Sequence, residues 1–259
     1  MKGILYYFSG TGNTKWAAER FSDYFKLYGI NIEIVNLEKE SFMLGDHDFT
    51  IIGTPIYFAE VPRIVSNFIA SIPQCNDNKR FLIFSTSSGK SSGTLDMLSA
   101  MPKEKGYSIA SQVNIIMPSD FKHNKCGNAL NENDIINLTE KASCKIKNVV
   151  KDFLTDKTTI EKASSFSIAV ARFMKVMNSS KRMHMVKYLD CTTDCIRCGL
   201  CLRNCPCGNI TFNNGSVVFH SNCIMCMRCI YICPQKAITY KGLKSDGLSG
   251  VNLRELDIL

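Results

Sequence analysis

The first 155 residues alternate short apolar runs with longer amphipathic stretches. Apolar runs of strand length lie near 3–8, 31–35, 48–53, 80–85 and 108–117. Apolar positions at helical spacing mark helices near 13–28, 62–71, 93–101 and 132–154. Five strands alternating with helices predict an α/β fold, a doubly wound parallel sheet with helices on both faces.

The pattern changes after residue 155. Phe166, Val170, Phe173, Met174 and Met177 recur at helical spacing beside Lys175, Lys181, Arg182, His184 and Lys187. This predicts a basic helical connector over 156–188. It could dock an acidic partner, but the simpler expectation is a linker helix whose apolar stripe rests on the preceding core. Its apolar face is weak for a membrane-surface helix. No apolar stretch reaches spanning length, since the one near Phe166–Met177 is broken by Arg172 and Lys175. Further on, Ile210-Thr211-Phe212 and Val217-Val218-Phe219 flank Asn213-Asn214-Gly215, a hairpin pattern. Residues 242–259 form a weakly patterned tail.

The strongest chemical signal is a pair of cysteine runs. They read Cys195-x2-Cys198-x2-Cys201-x3-Cys205-Pro206 and Cys223-x2-Cys226-x2-Cys229-x3-Cys233-Pro234. Three thiolates two residues apart can wrap one face of a cuboidal cluster, while the fourth reaches the other cluster. Cluster one then takes Cys195, Cys198, Cys201 and Cys233. Cluster two takes Cys223, Cys226, Cys229 and Cys205. The runs repeat at an offset of 28 residues, and Ile210-Thr211 matches Ile238-Thr239 beyond the ligands. Zinc, which wants four ligands per ion in separated dyads, fits this spacing poorly. The region 189–241 resembles the two-[4Fe–4S] bacterial ferredoxins, which implies a small α+β domain.

The start of the chain carries a second signal. Strand-like residues 3–8 run into Ser9-Gly10-Thr11-Gly12-Asn13-Thr14 and then a helix. A helix N-terminus with glycines and hydroxyls suits an anion. The dinucleotide pattern fails, because Lys15 stands where a third glycine is required. A P-loop ending at Gly89-Lys90-Ser91 fails at Phe84. What remains resembles the phosphate loop of flavodoxins. That resemblance implies FMN, a strand order of 2-1-3-4-5 and two further ligand loops. The second is Thr54-Pro55-Ile56-Tyr57-Phe58, and the third is Ser85-Thr86-Ser87-Ser88-Gly89 with Gly93. By resemblance the first loop binds phosphate, and the other two bracket the isoalloxazine ring. Tyr57 and Phe58 could stack on that ring, although core packing is the expected fate of at least one. The third loop lacks an aromatic, leaving one ring face for another part of the protein to cover.

Composition adds context. The 259 residues carry 31 basic and 23 acidic side chains, a net charge of +8. Residues 161–190 hold six basic and two acidic residues, so the excess sits in the connector. Thirteen cysteines with no disulfide framework point to a reducing interior. We expect a cytoplasmic protein, without a secretory signal, from an anaerobe. Cys75, Cys126, Cys144, Cys191 and Cys207 fall outside the ligand spacing. Over residues 1–241 the chain resembles the fused flavodoxin–ferredoxin proteins, the EFR-type ferredoxins. The resemblance implies an electron-transfer protein that relays electrons between FMN, two [4Fe–4S] clusters and a redox protein partner. The alternatives are a flavin reductase acting on a quinone or NAD(P)H, and an iron–sulfur sensor. No nucleic-acid-binding motif is present.

Overall fold

The computed structural model describes residues 1–38, 47–90, 92–119 and 132–244, except the side chains of residues 92, 175, 176 and 178–183. Six strands make one parallel sheet: β1 (Gly3–Tyr7), β2 (Ile32–Asn36), β3 (Phe49–Pro55), β4 (Arg80–Ser87), β5 (Ser108–Ile116) and β6 (Thr159–Ile160). Their order is β2-β1-β3-β4-β5-β6. The first five follow the expected order. The sixth corrects the expectation of five strands and lies inside the segment read as a helical connector. It pairs Ser111 with Thr159 and Gln112 with Ile160. Glu161 holds it there: its N–H donates to the Gln112 carbonyl at 2.9 Å, and its carboxylate accepts from the Asn114 N–H at 2.9 Å and pairs with Lys145. Two residues are too few to print a strand period on the sequence.

Four helices cover the sheet: α1 (Asn13–Lys26), α2 (Arg63–Ser71), α3 (Ser92–Glu104) and α4 (Glu132–Leu154). Alternate side chains of β1 divide between two cores. Leu5 and Tyr7 join Phe21 and Phe25 of α1 and Ile146 and Phe153 of α4. Ile4 and Tyr6 join Phe68 of α2 and Leu95 of α3. Both faces are thus covered, which is why all five residues of β1 are buried. Phe21 stacks on Phe84 with centroids 4.7 Å apart, a contact worth about 1 kcal/mol beyond its buried area.

The helix α5 (Ser165–Val186) starts at Ser164, whose hydroxyl accepts from the Ser167 N–H at 3.1 Å. It packs against α3 at Gly93. A Cβ on Gly93 would stand 2.6 Å from the Ser167 carbonyl oxygen and 3.1 Å from the Ala171 Cβ. Only small residues fit that notch, so the large ones turn away. Phe166 is 77% exposed and Phe173 64%, and Val170 and Met177 are also exposed. This corrects the expectation that the apolar stripe rests on the preceding core. Among the described residues no helix is long and apolar enough to cross a membrane.

The C-terminal region contains β7 (Leu189–Cys191), α6 (Leu200–Arg203), β8 (Ile210–Asn213), β9 (Ser216–Phe219), α7 (Arg228–Tyr231) and β10 (Ile238–Tyr240). β7 pairs antiparallel with β10, and β8 with β9. The expected hairpin is present, with Ile210 opposite Phe219 and Phe212 opposite Val217. Asn214 and Gly215 turn it at φ 48° and 80°, the left-handed pair a two-residue turn requires. The repeat extends to the backbone. Arg197 and Met225 both have φ 56°, while Gly199 matches Met227 at 74° and 62°.

Candidate functional site

Three loops meet beyond the carboxyl ends of β1, β3 and β4, where a doubly wound sheet binds ligands. In the first, Gly12 adopts φ 115° at the N-terminus of α1, and its N–H donates to the Ser9 hydroxyl at 3.1 Å. Ser9, Thr11 and Thr14 are buried. The Thr14 hydroxyl bonds that of Thr86 in the third loop at 2.7 Å, which ties the two loops together. In the second loop, Tyr57 and Glu60 close a tight turn with Phe58 and Ala59 at φ 52° and 59°. The Thr94 hydroxyl steadies that turn by donating to the Ala59 carbonyl at 2.9 Å. Tyr57 reaches back to the first loop, where its hydroxyl accepts from the Gly10 N–H at 3.1 Å.

Between the loops lies a cavity of about 420 Å³, within the range of cofactor sites. Ser9, Thr11, Asn13 and Thr14 line it from the first loop. Pro55, Ile56, Tyr57 and Phe58 line it from the second, and Thr86, Ser87 and Ser88 from the third. The other predicted residues stand elsewhere. Thr54 and Ser85 are fully buried in the sheet, their hydroxyls spent on the Pro55 carbonyl and on Asn114. Gly10 and Gly12 shape the first loop without lining the cavity. The Gly89 carbonyl accepts from Ser87 and Asn114. Gly93 serves the contact between α3 and α5.

The C-terminal part of the chain lines it as well, with Met185, Met225, Cys226, Met227, Tyr240 and Lys241. Tyr240 thus brings an aromatic that the third loop lacks. Buried hydroxyls at a helix N-terminus suit a phosphate, and an aromatic and methionine-rich wall suits a flat ring. The lining therefore fits FMN.

The cysteines border two further cavities. One is lined by Cys195, Cys198, Cys201 and Cys233, the other by Cys205, Cys223, Cys226 and Cys229. The sulfurs accept backbone N–H groups in matching pairs. Cys195 accepts from Arg197 at 3.4 Å and Cys223 from Met225 at 3.3 Å, while Cys205 accepts from Asn209 at 3.2 Å and Cys233 from Ala237 at 3.3 Å. Burial pushes the Cys226 thiol up to about 12, against the pull of nearby Arg228. Burial, then the neighbouring thiols, also raises Cys229 and Cys201. Such groups ionise readily only with cations among them, which fits a metal cluster. Among the described residues no three metal-binding side chains close on a single ion. Cys191 borders the first cavity and Cys207 the second.

Sequence reasoning missed Arg228 and Glu38. Arg228 follows Cys226 by two residues and is 5% exposed. Its Nη1 and Nη2 donate to the two carboxylate oxygens of Glu38 at 2.7 and 2.6 Å. Its Nε donates to the Gly10 carbonyl at 2.9 Å, and Nη2 also donates to the Ser9 carbonyl at 2.6 Å. Nη1 donates to the Asn204 carbonyl at 3.0 Å. Burial works against the charge, but Glu38 outweighs it and the guanidinium is held above its usual value. The repeat contained the signal: the offset of 28 sets Arg228 opposite Leu200, a charge where the other half is apolar.

Two family models match separate stretches of the chain. Residues 4–112 match the family model of the flavodoxin domain, and residues 216–239 that of the 4Fe-4S binding domain. No curated protein matches the sequence. Among solved structures the chain is similar to a flavodoxin from the domain Archaea at 17% identity, covering 58% of this chain and 99% of that one with a TM-score of 0.40. It is similar to the Fusobacterium nucleatum flavodoxin bound to flavin mononucleotide at 13% identity, covering 60% and 98% with a TM-score of 0.44. The rubredoxin oxygen:oxidoreductase of Desulfovibrio gigas is 16% identical, covering 59% and 37% with a TM-score of 0.41. The chain joins a flavodoxin domain at its N-terminal end to a 4Fe–4S binding domain near its C-terminal end.

Proposed function

We propose that this protein carries electrons between a bound FMN, two [4Fe–4S] clusters and an external redox protein. One observation carries the reading. The cavity formed by the three flavodoxin-type loops is also lined by Met225, Cys226 and Met227, part of the second cysteine run. When bound, FMN exchanges one or two electrons and each cluster one, so the pair converts between the two currencies. The chain supplies the binding and the closeness. Ser9, Thr11 and Thr14 receive the phosphate, and Tyr57, Phe58 and Tyr240 enclose the ring. Cys195, Cys198, Cys201 and Cys233 hold one cluster; Cys223, Cys226, Cys229 and Cys205 hold the other. On this reading residues 1–155 are the flavin domain, 156–188 the connector that adds β6 and α5, 189–241 the cluster domain and 242–259 a tail. Covalent fusion keeps the centres at a high effective concentration.

The test is anaerobic analysis of iron, sulfide and flavin per chain, with absorption spectra during stepwise reduction. About eight irons and one FMN are expected. Eight irons without FMN after reconstitution would remove the flavin from the mechanism, and about four irons would remove one cluster.

A further inference from the structure

Resting on the reading that the cavity holds FMN, we propose that Arg228 is a positioning residue. It clamps the second cysteine run onto the phosphate loop, and so makes FMN retention and seating of the cluster domain one coupled equilibrium.

The geometry argues for a clamp. A guanidinium has five N–H donors, and the contacts of Arg228 with Glu38, Ser9, Gly10 and Asn204 number five. Three of the four partner residues lie in the flavodoxin domain. Ser9 and Gly10 open the phosphate loop, and each carbonyl shares a rigid plane with the next residue's N–H. Fixing the two carbonyls therefore fixes the directions of the Gly10 and Thr11 N–H groups. The same arginine directly follows Met225, Cys226 and Met227, which wall the cavity. One side chain thus sets both the phosphate loop and the part of the cavity lining that the second run supplies.

The fit at this seam leaves little slack. A Cβ on Gly10 would stand 2.9 Å from the Cys226 Cβ and 3.0 Å from its carbonyl oxygen. Arg228 also lies over the Phe8 ring at 5.7 Å. Because the wall and the loop share one anchor, a ligand that contacts both favours the seated arrangement. By linkage, seating favours the ligand by the same factor. The Glu38 carboxylate supplies the charge that lets the arginine stay buried.

The test uses the full chain with its iron loaded and its flavin stripped. FMN is titrated by fluorescence quenching into wild type, Arg228→Leu, Arg228→Lys and Glu38→Gln. Glu38→Gln keeps every cysteine and Arg228 itself. We expect the FMN Kd to rise about tenfold or more for Arg228→Leu and Glu38→Gln, the scale set by a lost charged hydrogen bond, and by less for Arg228→Lys. Iron content should match wild type. FMN should protect the cluster domain of wild type from proteolysis but not that of Arg228→Leu, a reciprocity that a purely structural role would not produce. Wild-type affinity in both Arg228→Leu and Glu38→Gln overturns the clamp. Should Arg228→Leu lose its iron, Glu38→Gln decides on the same criterion. A wild-type protein that takes up no FMN overturns the reading of the cavity, a different result from binding that ignores the substitutions.

Discussion

Phe58 and Ile224 exchange cores across the boundary between the domains. Phe58, from the second flavodoxin-type loop, packs against the core of the cluster domain. Ile224, from between two cysteines of the second run, packs against the core formed by β1, α2 and α3. Each domain therefore partly covers a side chain of the other, and the seam is apolar as well as ionic.

Removing one of these side chains should loosen the seam and leave both domains folded. Phe58→Ala is expected to lower the stability of the docked arrangement by about 2 kcal/mol, below the usual cost for a fully buried ring because Phe58 is only half-buried. Calorimetry of the holoprotein should then resolve two transitions where wild type gives one. A single unchanged transition would contradict the exchange.

The two cysteine cavities should differ in their effect on flavin. Cys226 lines the flavin-sized cavity and Cys198 does not. Both Cys226→Ser and Cys198→Ser are expected to lose about four irons. Only Cys226→Ser should also weaken FMN binding, as read by fluorescence. Equal flavin affinity in the two variants would separate the clusters from the cavity.

The sequence groups Gly93 with the flavin loops, yet its close neighbours are Ser167 and Ala171 of α5. Gly93→Ala should press the two helices apart and destabilise the protein by about 1–3 kcal/mol, the range for overpacking. The FMN Kd should stay within about twofold of wild type. Urea denaturation and flavin titration of the same variant distinguish the two roles.

The exposed stripe of α5 offers an opposite test. Phe166 and Phe173 are 77% and 64% exposed, so Phe166→Lys and Phe173→Lys should each change stability by about 0.5 kcal/mol or less. A loss of several kcal/mol in urea melts would mean that these rings are packed.

Much of the fold was legible because it rests on local pattern. The β1 run, the helical spacing of α1 and the turn at Asn214 and Gly215 each carry their own signal. The cysteine runs were legible for the same reason: their spacing is local even though their partners are not. The loop residues divided, since the sequence located each loop but not which side chains point inward. Thr54 and Ser85 belong to strand ends and turn into the sheet. The direction of the α5 stripe differs from the expectation because periodicity identifies an apolar face without saying what it meets. In this case the notch at Gly93 selected the small face instead. Arg228 and Glu38 were invisible for a further reason. They are 190 residues apart in sequence, and a buried ion pair at that separation leaves no local trace beyond the broken symmetry with Leu200.

That broken symmetry bears on how the cluster domain finds its orientation. A duplicated module offers two faces of related backbone shape, and that shape alone discriminates weakly between them. Docking the other half would set Leu200 against Glu38 and the carbonyls of Ser9 and Gly10, burying a carboxylate without a cation and stranding Arg228 elsewhere. Specificity is a difference between affinities, and an unpaired buried charge is a strong way to penalise the wrong choice. Among the positions where the two halves diverge, Arg228 thus acts as an address label, assigning an inward half and an outward half to a module built from two copies of one pattern.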